Sequence, residues 1–155
     1  MLKIKKDTST LISLVLAFLA LLALVAVWAT LPFVVDCFFG LFKERIDGKT
    51  QLLAVLYAAS LPVAVADILL IRLLLLVRGG RIFSPEAVGS LRGISWCCLV
   101  EGVYLICVGI FVFDPVAVSF CMLAFAAVFL GIVLRVVKNV IEEATAIKTE
   151  NDYTI

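Results

Sequence analysis

Two carboxylates stand where carboxylates are costly. Asp67 lies inside the apolar run LLAVLYAASLPVAVADILLIRLLLLV, and Glu101 inside ISWCCLVEGVYLICVGIF. Counted inward from Arg78 at 1.5 Å per helical residue, Asp67 is ~16 Å deep, and counted from Arg92, Glu101 is ~14 Å deep. Both depths fall near the middle of a ~30 Å hydrocarbon core. An ionisable group at such a depth marks a functional position by default, and it needs a partner. Arg72 is the nearest cation in sequence, but five residues beyond Asp67 place it about 140° around the same helix. It is better placed to reach Glu101 across a bundle, or to snorkel toward the interface. Two chemistries are open to the pair. Asp67 and Glu101 can share a proton or a cation in a small polar cavity. Alternatively each carboxyl is neutral, or hydrogen-bonded to a neighbour such as Tyr104 or Ser60, and pins helix packing. The packing reading is the stronger one, because transporters with midplane sites use repeats and broken helices that so short a chain does not supply alone. Pro62 sharpens the question, since it frees a carbonyl one turn earlier and bends the helix near Asp67.

The rest of the chemical inventory is sparse. The chain has no His, which removes the commonest general base and the commonest metal ligand together. Its five cysteines, Cys37, Cys97, Cys98, Cys107 and Cys121, show no CxxC or Cys/His spacing, and most lie in apolar runs where Cys acts as a small hydrophobe. The stretch RGGR at 78–81 lacks the Gly-Lys-Ser/Thr ending and the preceding strand of a phosphate loop. No nucleophile–base pairing is visible. These absences predict a protein that is not an enzyme and takes no metal or cofactor.

The elements that would carry Asp67 and Glu101 are legible from composition. Of 155 residues, 65% are hydrophobic and 16% charged, with a mean hydropathy of +1.23. A soluble domain is about 45–50% apolar and about 25% charged. The net charge of +1 excludes direct nucleic-acid binding by bulk positive potential. Four runs are long enough to cross a bilayer as helices: about 10–35, 52–77, 94–113 and 116–137. Apolar side chains fill every face, so helices are expected and β-strands are not. The first run is too long for the apolar core of a signal peptide. Short connectors predict an antiparallel bundle of four transmembrane helices, an all-α integral membrane protein built as one membrane domain. With the N-terminus inside, Lys3, Lys5, Lys6, Arg72, Arg78, Arg81, Arg92, Arg135, Lys138 and Lys148 lie on the inner side, against Lys43, Arg45 and Lys49 outside. That asymmetry predicts both termini in the cytoplasm and a place in the bacterial inner membrane.

Two further features belong to the inner side. In IFSPEAVGSLRGI, Ser84 suits an N-cap, Pro85 the first helical position and Glu86 the positive helix end, with Phe83 and Val88 placed for a hydrophobic staple. This predicts a short inner-loop helix from Pro85 to about Arg92, ahead of the third span. Arg78, Arg81 and Arg92 suit anionic lipid. From within the fourth span, Val133, Val136, Val137, Val140, Ile141, Ala144 and Ile147 continue a helical stripe into residues 138–155. A stripe outside lipid needs a covering surface: the inner helix, a second copy of the chain, or another protein. The small residues Ala127 and Gly131, with Gly102 and Gly109, are spaced to seat helices within one bundle.

The segment IFSPEAVGSLRGI and the ending EATAIKTENDYTI resemble a family of small four-span bacterial membrane proteins known only as a domain of unknown function. Its members share a Phe-Ser/Thr-x-Glu-x-Val-x-x-Leu-Arg segment before the third span and a Glu-Asn-Asp-x-Thr-Ile ending. Here these are Phe83, Ser84, Glu86, Val88, Leu91 and Arg92, and Glu150, Asn151, Asp152, Thr154 and Ile155. Ala87 departs from the Asn often found in the family. The motifs cover under a fifth of the chain, and the rest of the likeness is one of span layout. Members are often encoded beside a small helix-turn-helix regulator, so the resemblance implies a cytoplasmic regulatory partner. Inner loop and tail would then form one docking surface, with Glu150 or Asp152 pairing with Arg81 or Arg92 and the terminal carboxylate open to capture.

Overall fold

In a computed structural model of the chain, residues 6–41, 48–111 and 117–153 are described, and they form four helices. These are α1 (Lys6–Leu41), α2 (Lys49–Arg78), α3 (Pro85–Phe111) and α4 (Ala117–Tyr153). All four are long and apolar enough to cross a membrane. Large apolar side chains such as Leu22, Phe33, Val103, Met122 and Phe125 cover the outside. Such a surface would aggregate in water and is at home in lipid. The chain is a multi-pass, all-α membrane protein.

The pairing of residues across each interface runs in opposite directions, so every neighbour is antiparallel. Trp28 meets Ser60 at one level of α1 and α2, while Asp36 pairs with Lys49 nearer the loop that joins them. Leu69 lies against Gly93, and Val55 accepts the hydroxyl of Tyr104. Ser95 donates to the carbonyl of Gly131, and Arg92 reaches Glu142. Among the described residues α1 packs closely only on α2, and α4 only on α3. The four helices therefore form a cupped row, with α1 and α4 at its two ends.

The helix starting at Pro85 begins as the sequence indicates. Ser84 Oγ accepts from the amide of Ala87 at 3.3 Å, the N-cap geometry, and donates to the Arg81 carbonyl at 2.9 Å. It is, however, not a separate inner helix. α3 runs unbroken from Pro85 into the third span. A single Gly costs a helix only about 1 kcal/mol, and Gly93 is held against Leu69 of α2. Phe83 stays exposed while Val88 is buried. Ahead of α3, Gly80 takes a left-handed φ of 73° and closes the end of α2, with the Arg81 amide donating back to Leu76 at 3.0 Å.

The tightest packing lies at the end of the molecule that carries the start of α3. Leu76 of α2, Ala87, Val88 and Leu91 of α3, and Ile94 one turn on are all buried. The second dense region is the α3–α4 seam, where Ala124 is 0% exposed and Gly102 lies against Val128. Gly131 faces Leu99 and Cys98. Gly102 and Gly131 thus seat α4 on α3 within one chain, as expected of them, whereas Ala127 borders the hollow of the row. At ~1.5 Å per residue, α4 is ~55 Å long, well beyond the ~30 Å of a hydrocarbon core.

Candidate functional site

Two places in this fold gather polar chemistry. The first is a crevice of about 530 Å³ in the hollow of the cupped row, reached by side chains of all four helices. Ala23 of α1, Pro62 and Asp67 of α2, Glu101 of α3, and Ala127 and Leu130 of α4 all border it. Its wall is apolar apart from the two carboxyls and the thiols of Cys97 and Cys98. A volume of this size lies within the range of small-molecule pockets, about 300–1,000 Å³.

Asp67 and Glu101 thus line one crevice, but at different levels. Leu69 lies beside Gly93 and Val55 beside Tyr104, which puts Asp67 level with Ile94 and Glu101 level with Ser60. The offset is about seven residues, or ~10 Å along the helices. Counting depth from Arg78 and from Arg92 separately hid this, because those two arginines are not level with each other. Asp67 sits toward the tightly packed end and Glu101 deeper in. Glu101 is only 9% exposed, and its Oε2 has no hydrogen-bond partner among the described residues. Asp67 is half-buried.

The partners expected for these carboxyls are engaged elsewhere. Tyr104 donates to the backbone of Val55 at 3.0 Å. Ser60 Oγ accepts from Trp28 Nε1 at 2.8 Å and donates to the Tyr57 carbonyl at 2.6 Å, a network that ties α1 to α2. Tyr57 closes it by donating to the Trp28 carbonyl at 3.0 Å. Arg72 is exposed and takes part in none of the ion pairs among the described residues. The reason is geometric: Arg72 turns to the outside of the row, and the hydroxyls sit within reach of backbone carbonyls before they reach a carboxyl.

The second place is where α3 begins and α4 extends. Glu142 is its centre, accepting from Arg92 at 3.2 Å on α3 and from Lys138 at 2.5 Å one turn back on α4. Beside them the Arg135 guanidinium stands 4.9 Å from the centre of the Trp96 ring, a cation–π geometry. Pro85, Val88 and Gly89 of α3 face Thr145, Ala146 and Thr149 of α4 across a shallow groove of about 430 Å³. The stripe on α4 is therefore partly covered by the first turns of α3: Ile141 and Ala144 are half-buried, whereas Val136, Val140 and Ile147 are exposed.

This changes the pairing expected for the basic loop. Arg92 is taken by Glu142, and Arg81 lies 3.8 Å from Glu86 at the start of α3. Glu150 is exposed on the last turns of α4. Asn151 and Asp152 continue the α4 backbone, while their side chains, and Thr154 and Ile155 entirely, lie outside the described residues. Glu142 itself was readable as an i,i+4 partner of Lys138; its contact with Arg92 needed the register of α3 on α4. Breaking this exposed cluster should be cheap: Arg92→Ala should lower stability by no more than about 1 kcal/mol, read as a small shift in thermal unfolding. A loss several times larger would mean that the cluster holds the helices together.

The comparison with protein families now decides the kinship. Residues 5–155, nearly the whole chain, match one family profile. The chain belongs to the family described as Protein of unknown function (DUF2975). No curated protein and no solved structure matches the chain. Membership in DUF2975 agrees with the expected kinship to a family of unknown function, and it brings no activity with it. The reading of function therefore rests on the two polar places just described.

Proposed function

We propose that this chain is a membrane-bound regulatory or signalling partner that acts through its cytoplasmic face, without enzymatic activity. The face meant is the end formed by the first turns of α3 and the extension of α4. The basic asymmetry of the loops supports a cytoplasmic location for it in a bacterial inner membrane. One observation carries the reading: α4 continues as a single helix to Tyr153 and lies along the first turns of α3, where Arg92 meets Glu142. A helix that outlives the bilayer and lies along α3 can present its exposed side, Val140 and Ile147, to a second protein. A small cytoplasmic helix-turn-helix regulator is the partner the family resemblance suggests, and self-association is the competing use of the same side.

Deletion of residues 151–155 tests this. The shortened chain should insert and unfold like the full one, yet lose co-purification of a co-expressed helix-turn-helix regulator and any downstream transcriptional effect. Unchanged co-purification and transcription would retire the docking role of the tail.

A second reading, a small ion or solute pathway, is favoured by the unpartnered oxygen of Glu101. Proton-coupled flux in liposomes that disappears in Asp67→Asn or Glu101→Gln would support it, and flux indifferent to both changes would reject it.

A further inference from the structure

We infer that the crevice between the helices is a binding site for an amphiphilic amine, an N–H-bearing ammonium on an apolar body, with Glu101 as its primary counter-group and Asp67 as its second. This inference stands apart from the regulatory reading and concerns a different part of the molecule.

Three observations define the ligand. Glu101 presents a buried oxygen that nothing in the described chain satisfies. A buried polar atom without a partner costs about 1–3 kcal/mol, so the site asks for a hydrogen-bond donor. Second, neither Glu101 nor Asp67 has a Lys or Arg partner among the ion pairs of the described residues. Two acidic groups with no protein cation favour a donor that carries positive charge. Third, the remaining wall is formed by groups such as Ala23, Pro62, Ala127 and Leu130. That wall suits hydrocarbon, and no group of three or more side chains able to ligate a metal ion gathers among the described residues. A donor, a positive charge and an apolar body together describe an amphiphilic amine. A quaternary ammonium lacks the N–H and fits less well.

Access follows from the architecture. α1 and α4 border the crevice without packing on each other. An amphiphile dissolved in the bilayer can slide between them without crossing water. The ~10 Å offset of the carboxyls along the helices gives such a ligand two successive contacts, Asp67 toward the tightly packed end and Glu101 deeper.

The experiment uses the full-length protein in lipid nanodiscs and a photoreactive long-chain alkylamine as probe. Labelling should map to peptides of α1, α2 and α3 around the crevice, and dodecylamine should compete for it at least about tenfold better than dodecanol. Glu101→Leu should weaken the amine's apparent affinity about tenfold or more, and Asp67→Asn should weaken it by a smaller factor. Asp36→Asn, at the Lys49 pair away from the crevice, should leave it unchanged. Ala23→Phe fills the crevice from α1 and leaves both carboxyls in the chain, and should also abolish labelling in a protein whose helical content and unfolding temperature are unaltered. Equal competition by amine and alcohol would mean the crevice takes lipid chains only, and would overturn the inference. So would amine labelling that survives both Glu101→Leu and Ala23→Phe.

Discussion

Gly102→Leu should be among the most damaging single changes in the chain, lowering stability by about 3 kcal/mol. A Cβ at position 102 would collide with Val128 Cγ2, and it would lie 3.1 Å from the Ala124 carbonyl oxygen and 3.3 Å from the Val128 amide nitrogen. Two of those three neighbours are backbone, so a rotamer change at Val128 relieves only one of the three contacts. Ala124 has no exposed surface from which to retreat. In a membrane the hydrophobic effect does not draw helices together, and close van der Waals contact along small residues carries the association. Widening this seam should loosen α4 from α3 and release the Ser95–Gly131 hydrogen bond. Gly89→Ala is the matched control: nothing lies within 4 Å of its added methyl, and Gly89 is in a helix, so a neutral or slightly stabilising change is expected. Thermal unfolding in detergent, followed by the fluorescence of Trp28 and Trp96, separates the two. Equal unfolding temperatures for Gly102→Leu and the parent would contradict the seam.

Glu101→Leu should act in the opposite direction and raise stability by about 1–3 kcal/mol in the absence of ligand. The substitution removes a buried oxygen that lacks a partner and replaces it with a side chain matched to its walls. A rise in unfolding temperature alongside loss of amine binding would mark Glu101 as a group kept for use at a cost to the fold. A fall as large as that of Gly102→Leu would show instead that the carboxyl holds the helices together, and that its role is structural.

Much of the architecture is written in single-residue physics. The four spans follow from apolar length, the start of α3 from Ser84, Pro85 and Glu86, and the α3–α4 seam from the spacing of small residues. The continuity of α3 was not legible, because a local cap announces where a helix starts and gives no sign of where it stops. The arginines misled for a related reason. Arg78 and Arg92 look equivalent as markers of one interface, yet the register of α2 on α3 sets them at different levels, and the two carboxyls follow them apart. Tyr104 and Ser60 have other acceptors than a carboxyl: Tyr104 donates to a backbone carbonyl one helix away, which is invisible in a sequence, and Ser60 to the Tyr57 carbonyl on its own helix. Glu142 lay beyond the reach of the sequence in part. Its Lys138 contact is local, whereas its Arg92 contact depends on how two helices dock.

The regulatory reading requires the extension of α4 to lie in the cytoplasm, so sidedness is its most direct test. Reporter fusions placed after Lys49 and after Ile155, read in cells with one reporter active only inside and one active only outside, settle it. The expected result is an outside signal at Lys49 and an inside signal at Ile155. The same side for both, or the C-terminal fusion outside, would contradict a cytoplasmic docking face.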